Sequence, residues 1–60
     1  SGTAEWHWSP VPVWTALTLP PGTRLAGEPA APFVRGPAGR SILAPPGTRE
    51  ARVTVEPAGP

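Results

Sequence analysis

Eleven prolines, at positions 10, 12, 20, 21, 29, 32, 37, 45, 46, 57 and 60, cut this 60-residue chain into short pieces. Each proline locks φ near −65° and removes a backbone donor, which breaks helix interiors and central strands alike. The longest proline-free runs are 13–19, 22–28, 38–44 and 47–56, and none carries apolar residues at i, i+3, i+4, i+7. Alternation at period two survives. The expected fold is all-β: a small meander or open barrel of four to five short antiparallel strands with Pro/Gly-rich turns and no substantial helix.

The clearest strand spans 50–56, with Ala51, Val53 and Val55 on one face and Arg52, Thr54 and Glu56 on the other. A longer one is expected over 11–19. There Val11, Val13, Thr15, Leu17 and Leu19 share a face, and Trp14, Ala16 and Thr18 share the opposite one. Apolar character on both sides points to packing on two surfaces. Shorter strands are expected over 24–26, 33–35 and 40–43. Gly36-Pro37-Ala38-Gly39 reads as a hairpin loop, its glycines supplying positive φ.

One internal echo stands out. Leu19-Pro20-Pro21-Gly22-Thr23-Arg24 returns twenty-five residues later as Ala44-Pro45-Pro46-Gly47-Thr48-Arg49. Proline at i+1 and glycine at i+2 is the type II turn signature. Both copies therefore turn the chain between strands, through duplication of a β-turn-β unit or through repeated turn chemistry.

A chain of this size buries only about 60% of its unfolded surface. It holds no cysteine and one histidine, so neither a disulfide nor a self-contained zinc site adds stability. Autonomy is marginal, and the missing stabilisation points towards a neighbouring subunit. The proposed organisation is an aromatic N-terminal arm at 1–10, a small β domain at 11–56 and a frayed tail at 57–60. The segment 28–32, with its PxxP spacing, reads as a stiff connector.

Five Arg against four Glu leave a net charge of +1, and Lys, Asp, Asn, Gln, Tyr, Met and Cys are all missing. The bias towards Ala, Gly, Pro and Arg fits coding from a GC-rich genome. The arginines at 24, 35, 40, 49 and 52 are dispersed, whereas sequence-independent nucleic-acid binding relies on several cations displacing counterions together. Arginines beside indoles would otherwise suit stacking on nucleic acid. No run approaches the ~18 apolar residues of a membrane span, and no secretory signal is visible. Cytoplasm or a virion are the expected settings.

Catalytic inventory is thin. A triad of His7, Ser41 and a glutamate lacks a nucleophile elbow, and no phosphate loop exists. No enzyme activity and no cofactor are expected. The informative cluster is Trp6-His7-Trp8, with Trp14 following. As a strand, it sends both indoles to one face and His7 to the other. Trp14 is expected in the core, while Trp6 and Trp8 suit a protein interface, where Trp and Arg are favoured anchors.

These residues imply a non-enzymatic structural or assembly protein. It would be a small β subunit that joins copies of itself or docks on a larger assembly, such as a cement, decoration or connector of a virus particle. The candidate interface comprises Trp6, His7, Trp8, Trp14, Arg35 and Arg40. The alternative is an autonomous SH3-like or OB-like module that takes a peptide, glycan or nucleic acid on its tryptophan face.

Overall fold

The computed structural model describes residues 2–59. The strands are β1 (Gly2–His7), β2 (Thr15–Thr18), β3 (Thr23–Leu25), β4 (Val34–Arg35), β5 (Ser41–Ala44) and β6 (Glu50–Pro57). A 3-10 turn at Pro37–Gly39 joins β4 to β5. The strands form two three-stranded antiparallel sheets, ordered β1-β6-β3 and β2-β5-β4. The all-β expectation holds, with six strands in place of four or five. No helix is long and apolar enough to cross a membrane among the described residues.

The extra strand comes from the stretch read as an arm. Gly2–His7 runs antiparallel to β6 and puts Ala4 opposite Val53 and Trp6 opposite Ala51. The physical reason lies in matching alternation: Ala4 and Trp6 share the apolar face of Ala51 and Val53, so pairing buries all four together. Trp6 and Trp8 pack against the molecule's own core. The tail is also held further than expected, since Pro57 ends β6 opposite Thr23 and the Ala58 N–H donates to the Gly22 carbonyl at 2.9 Å. Pro60 lies outside the described residues.

The strand expected over 11–19 shortens to Thr15–Thr18. Pro10 and Pro12 cannot donate to a ladder, and the chain before Thr15 is irregular. Its anchor comes from the second Pro-Pro-Gly turn: the Gly47 N–H donates to the Val11 carbonyl at 2.9 Å. The connector is bent and not extended, with the Phe33 N–H donating to the Ala30 carbonyl at 3.1 Å.

The core lies between the sheets. Ala4, Leu25, Ala51, Val53 and Val55 enter it from the first, and Ile42 and Leu19 from β5 and the residue after β2. Ile42 is fully buried. Trp6, Trp8, Leu17 and Phe33 close the cluster at its margins. Ala4 and Ala51 make the first sheet's contribution small, and the half-buried indoles supply volume that the alanines lack.

Both Pro-Pro-Gly-Thr segments make the turn their sequence demands. Gly22 and Gly47 sit at φ +80° and +84°. In each, the following threonine donates twice to the first proline's carbonyl: Thr23 to Pro20 at 3.2 Å from N–H and 2.6 Å from Oγ1, Thr48 to Pro45 at 3.2 and 2.7 Å. Each turn also carries the chain from the second sheet into the first, β2 to β3 and β5 to β6.

The hairpin loop between β4 and β5 differs from expectation in one detail. Gly39 takes positive φ, but its partner in the left-handed region is Ala38, at φ 56°. Gly36 is extended, at φ −83°. Its lack of a side chain serves closeness instead, because a Cβ there would collide with the Ser41 hydroxyl.

Candidate interaction surface

Alternation along the strands gives each sheet one inward and one outward face. The outward faces differ in chemistry. On the first sheet, Thr3, Glu5 and His7 of β1 lie beside Arg52, Thr54 and Glu56 of β6, with Arg24 of β3 at the margin. Charges are matched across the strands. Arg24 Nε donates to Glu56 at 2.8 Å, Arg52 reaches Glu5 at 3.4 Å, and His7 Nε2 lies 2.9 Å from Glu5. Hydrogen bonding from His7, then from Arg52, and the Arg52 charge hold the Glu5 carboxyl below its usual range.

The second sheet turns an uncharged face to solvent. Ala16 stands opposite Leu43, and Leu43 opposite Val34, so one apolar row crosses all three strands. Thr18 and Ser41 continue this face as a second, hydroxyl-bearing pair. Val34 is 46% exposed, and at the entry to β2 Val13 and Trp14 are 58% and 53% exposed. Both lie in the irregular stretch that leads into β2. The core position expected for Trp14 is therefore overturned: β2 begins after it, and the indole has no second sheet above it.

The six candidate residues do not converge. Trp6 and Trp8 point inward and are half-buried, and His7 points outward, as the alternation requires. Trp14 is exposed at the entry to β2, in the other sheet. Arg35 ends β4, 3.9 Å from Glu28, and Arg40 follows the 3-10 turn, its N–H donating to the Pro37 carbonyl at 3.1 Å. Leu43, Val34 and Val13 were missed. The signal for them was the two-sided apolar character of 11–19, which required a second apolar surface somewhere outside the core.

An open groove of about 490 Å³ lies at one end of the first sheet, lined by His7, Trp8, Ser9, Pro10, Arg49 and Glu50. The envisaged partners for His7 are not assembled there, since Ser41 belongs to the second sheet. His7 instead sits between Glu5 and Glu50, the latter at 3.9 Å. No group of three metal-ligating side chains occurs among the described residues. Comparison with protein families, with curated proteins and with solved structures finds no match to this chain.

Proposed function

We propose that this chain is a non-enzymatic assembly protein, a small β subunit that docks through the outward face of its second sheet. The observation that carries this reading is the asymmetry between the two outward faces. One is covered by paired charges, while the other presents Ala16, half-buried Leu43 and Val34 in a row, with Trp14 exposed just before β2 begins. An exposed apolar strip on a chain with so small a core is what an interface supplies: burial on a partner adds the stabilisation that the core lacks. Trp14 has the size and position of an anchor. Copies of this chain or a larger particle, such as a virion shell, are the partners this reading envisages.

The native mass of the purified chain, compared with that of a Trp14→Ser, Val34→Thr double variant, tests the reading. Both side chains are exposed, so the double variant keeps its circular dichroism spectrum while losing the higher-mass species. A wild-type chain that stays monomeric and melts independently of concentration, with no partner recovered, rejects it.

The open groove favours a second reading, a binding module for a short peptide or glycan. Trp8 is a poor probe of it, because it also packs on the core. Arg49→Ala, at an exposed lining position, is the cleaner test: ligand-induced tryptophan fluorescence changes should vanish while the melt stays put.

A further inference from the structure

Four strands form sheet edges: β1, β3, β2 and β4. Three of them are blunted by shortness and by proline. β4 has two residues and lies between Pro32 and Pro37; β3 has three and follows Pro20-Pro21; β2 has four and is bounded by Pro12 and Pro20. Short, proline-flanked edges are how proteins prevent strand addition. β1 has six residues and no proline within it. Its free edge is unprotected.

The register shows which backbone groups that edge offers. The Trp8 N–H donates to the Arg49 carbonyl at 3.0 Å, one step beyond the paired His7 and Glu50. In an antiparallel ladder such bonded pairs alternate, so Ala4 and Trp6 also bond inward to β6. The N–H and C=O groups of Thr3, Glu5 and His7 point the other way. No loop hydrogen bond among the described residues reaches any of them.

We infer that this edge takes a second copy of the same chain, β1 against β1 antiparallel about a two-fold axis at Trp6. Charge selects the register. Placing Glu5 opposite Glu5 of the other copy, or His7 opposite His7, sets like groups together and is disfavoured. The register that puts Glu5 opposite His7, and by symmetry His7 opposite Glu5, brings carboxylate and imidazole together twice. The chain already joins the same two groups at 2.9 Å within one strand. In that register both residues are the outward-bonding ones, so each pair exchanges its ladder hydrogen bonds. The pair at the axis is Trp6 with Trp6, a non-hydrogen-bonded position where side chains approach most closely. Ala4 then faces Trp8, small against large. The result is a continuous six-stranded sheet that covers what remains exposed of both indoles.

This edge is separate from the second sheet's face, so variants at the two surfaces tell the two proposals apart. The test uses the full 60-residue chain made by chemical synthesis, with sedimentation read up to millimolar concentration. The expected result is a dimer for the unmodified chain. An N-methyl group on Glu5 removes a donor that β6 does not use, and should raise the dissociation constant at least tenfold while circular dichroism retains the β spectrum. Charge exchange checks the register. Glu5→Arg and His7→Glu chains should each dimerise poorly alone and pair when mixed, because only the mixed dimer sets opposite charges across the seam.

A monomer at every concentration overturns the inference. So does a dimer indifferent to N-methylation at Glu5, or a mixture that pairs no better than its components. A dimer abolished instead by Trp14→Ser with Val34→Thr would assign self-association to the sheet face and not to this edge.

Discussion

Leu17 and Ile42 stand directly opposite each other across β2 and β5, and they are also twenty-five positions apart, the spacing that separates the two Pro-Pro-Gly-Thr turns. The same offset carries Ala16 to Ser41 and Thr18 to Leu43, while the register pairs Ala16 with Leu43 and Thr18 with Ser41. The second sheet thus has a local two-fold axis at Leu17 and Ile42. That axis relates the starts of the two strand-turn-strand units that carry the sequence echo. The symmetry ends in the first sheet, where Leu25 pairs with Val55 but its counterpart Glu50 pairs with His7 of β1.

If the two turns are equivalent, their threonines should behave alike, with a bias set by burial. Thr23→Val and Thr48→Val each delete one hydroxyl bond to a proline carbonyl, worth about 0.5–1.5 kcal/mol. The Thr48 bond is partly buried and the Thr23 bond exposed, so Thr48→Val should cost more. Urea melts of both variants and of the pair measure this. Additivity is expected, since the turns share no partner.

Ile42 lies on the axis and is fully buried. Trimming it to alanine should cost about 2–5 kcal/mol. A chain of this length has roughly 3–9 kcal/mol in total. Ile42→Ala should therefore lose most of its cooperative transition, whereas Ile42→Val keeps one that melts about 4–8 °C lower per kcal/mol lost. An Ile42→Ala chain that melts like wild type would contradict the core described above.

Two glycines should respond to alanine for different reasons. At Gly36 a Cβ would lie 2.9 Å from the Ser41 carbonyl oxygen, in addition to striking its hydroxyl. The Gly36 N–H already donates to that carbonyl at 2.8 Å, so the strands cannot separate without losing a ladder bond. Gly36→Ala should cost about 1–3 kcal/mol. At Gly22 a Cβ meets nothing within 4 Å, and only φ +80° opposes it. Gly22→Ala should cost about 1 kcal/mol, the left-handed penalty for a side chain. Restoring the space with Ser41→Ala should relieve part of the Gly36 effect and none of the Gly22 effect.

Acid should loosen the first sheet through Glu5. Its folded pKa is lowered from 4.5, first by the His7 hydrogen bond and then by Arg52. A group depressed on folding contributes above its unfolded pKa, and the contribution disappears as pH falls through the folded value. Melting temperature should therefore decline more steeply below about 4.5 in wild type than in Glu5→Gln. NMR titration of the carboxyl gives the direct check, with His7→Ala moving its midpoint upwards.

Much of the fold was readable because its determinants are local. Proline excluded helix by geometry, Pro-Pro-Gly-Thr specified its turn, and the alternation in 50–56 marked β6 within a residue of its ends. The site was less readable. Trp14 was assigned to the core because an indole in a small chain ordinarily goes there, and nothing near it in sequence shows that β2 starts one residue later. Trp6 and Trp8 were assigned to a partner because so short a segment cannot bury its own indoles, whereas β6 pairs with that segment and both indoles pack partly on the core.

The placement of these three indoles marks the division between local and distant control. Backbone chemistry within a few residues, namely fixed φ, absent donors and positive-φ glycines, settled that this chain is made of short strands and where it turns. Which strands meet was settled by contacts distant in sequence, Ala4 with Val53 and Ala16 with Leu43. Period-two alternation says that a residue has two faces to choose from. Only the partner strand and the sheet packed above it determine which face is covered, and therefore why one outward surface is charged and the other apolar.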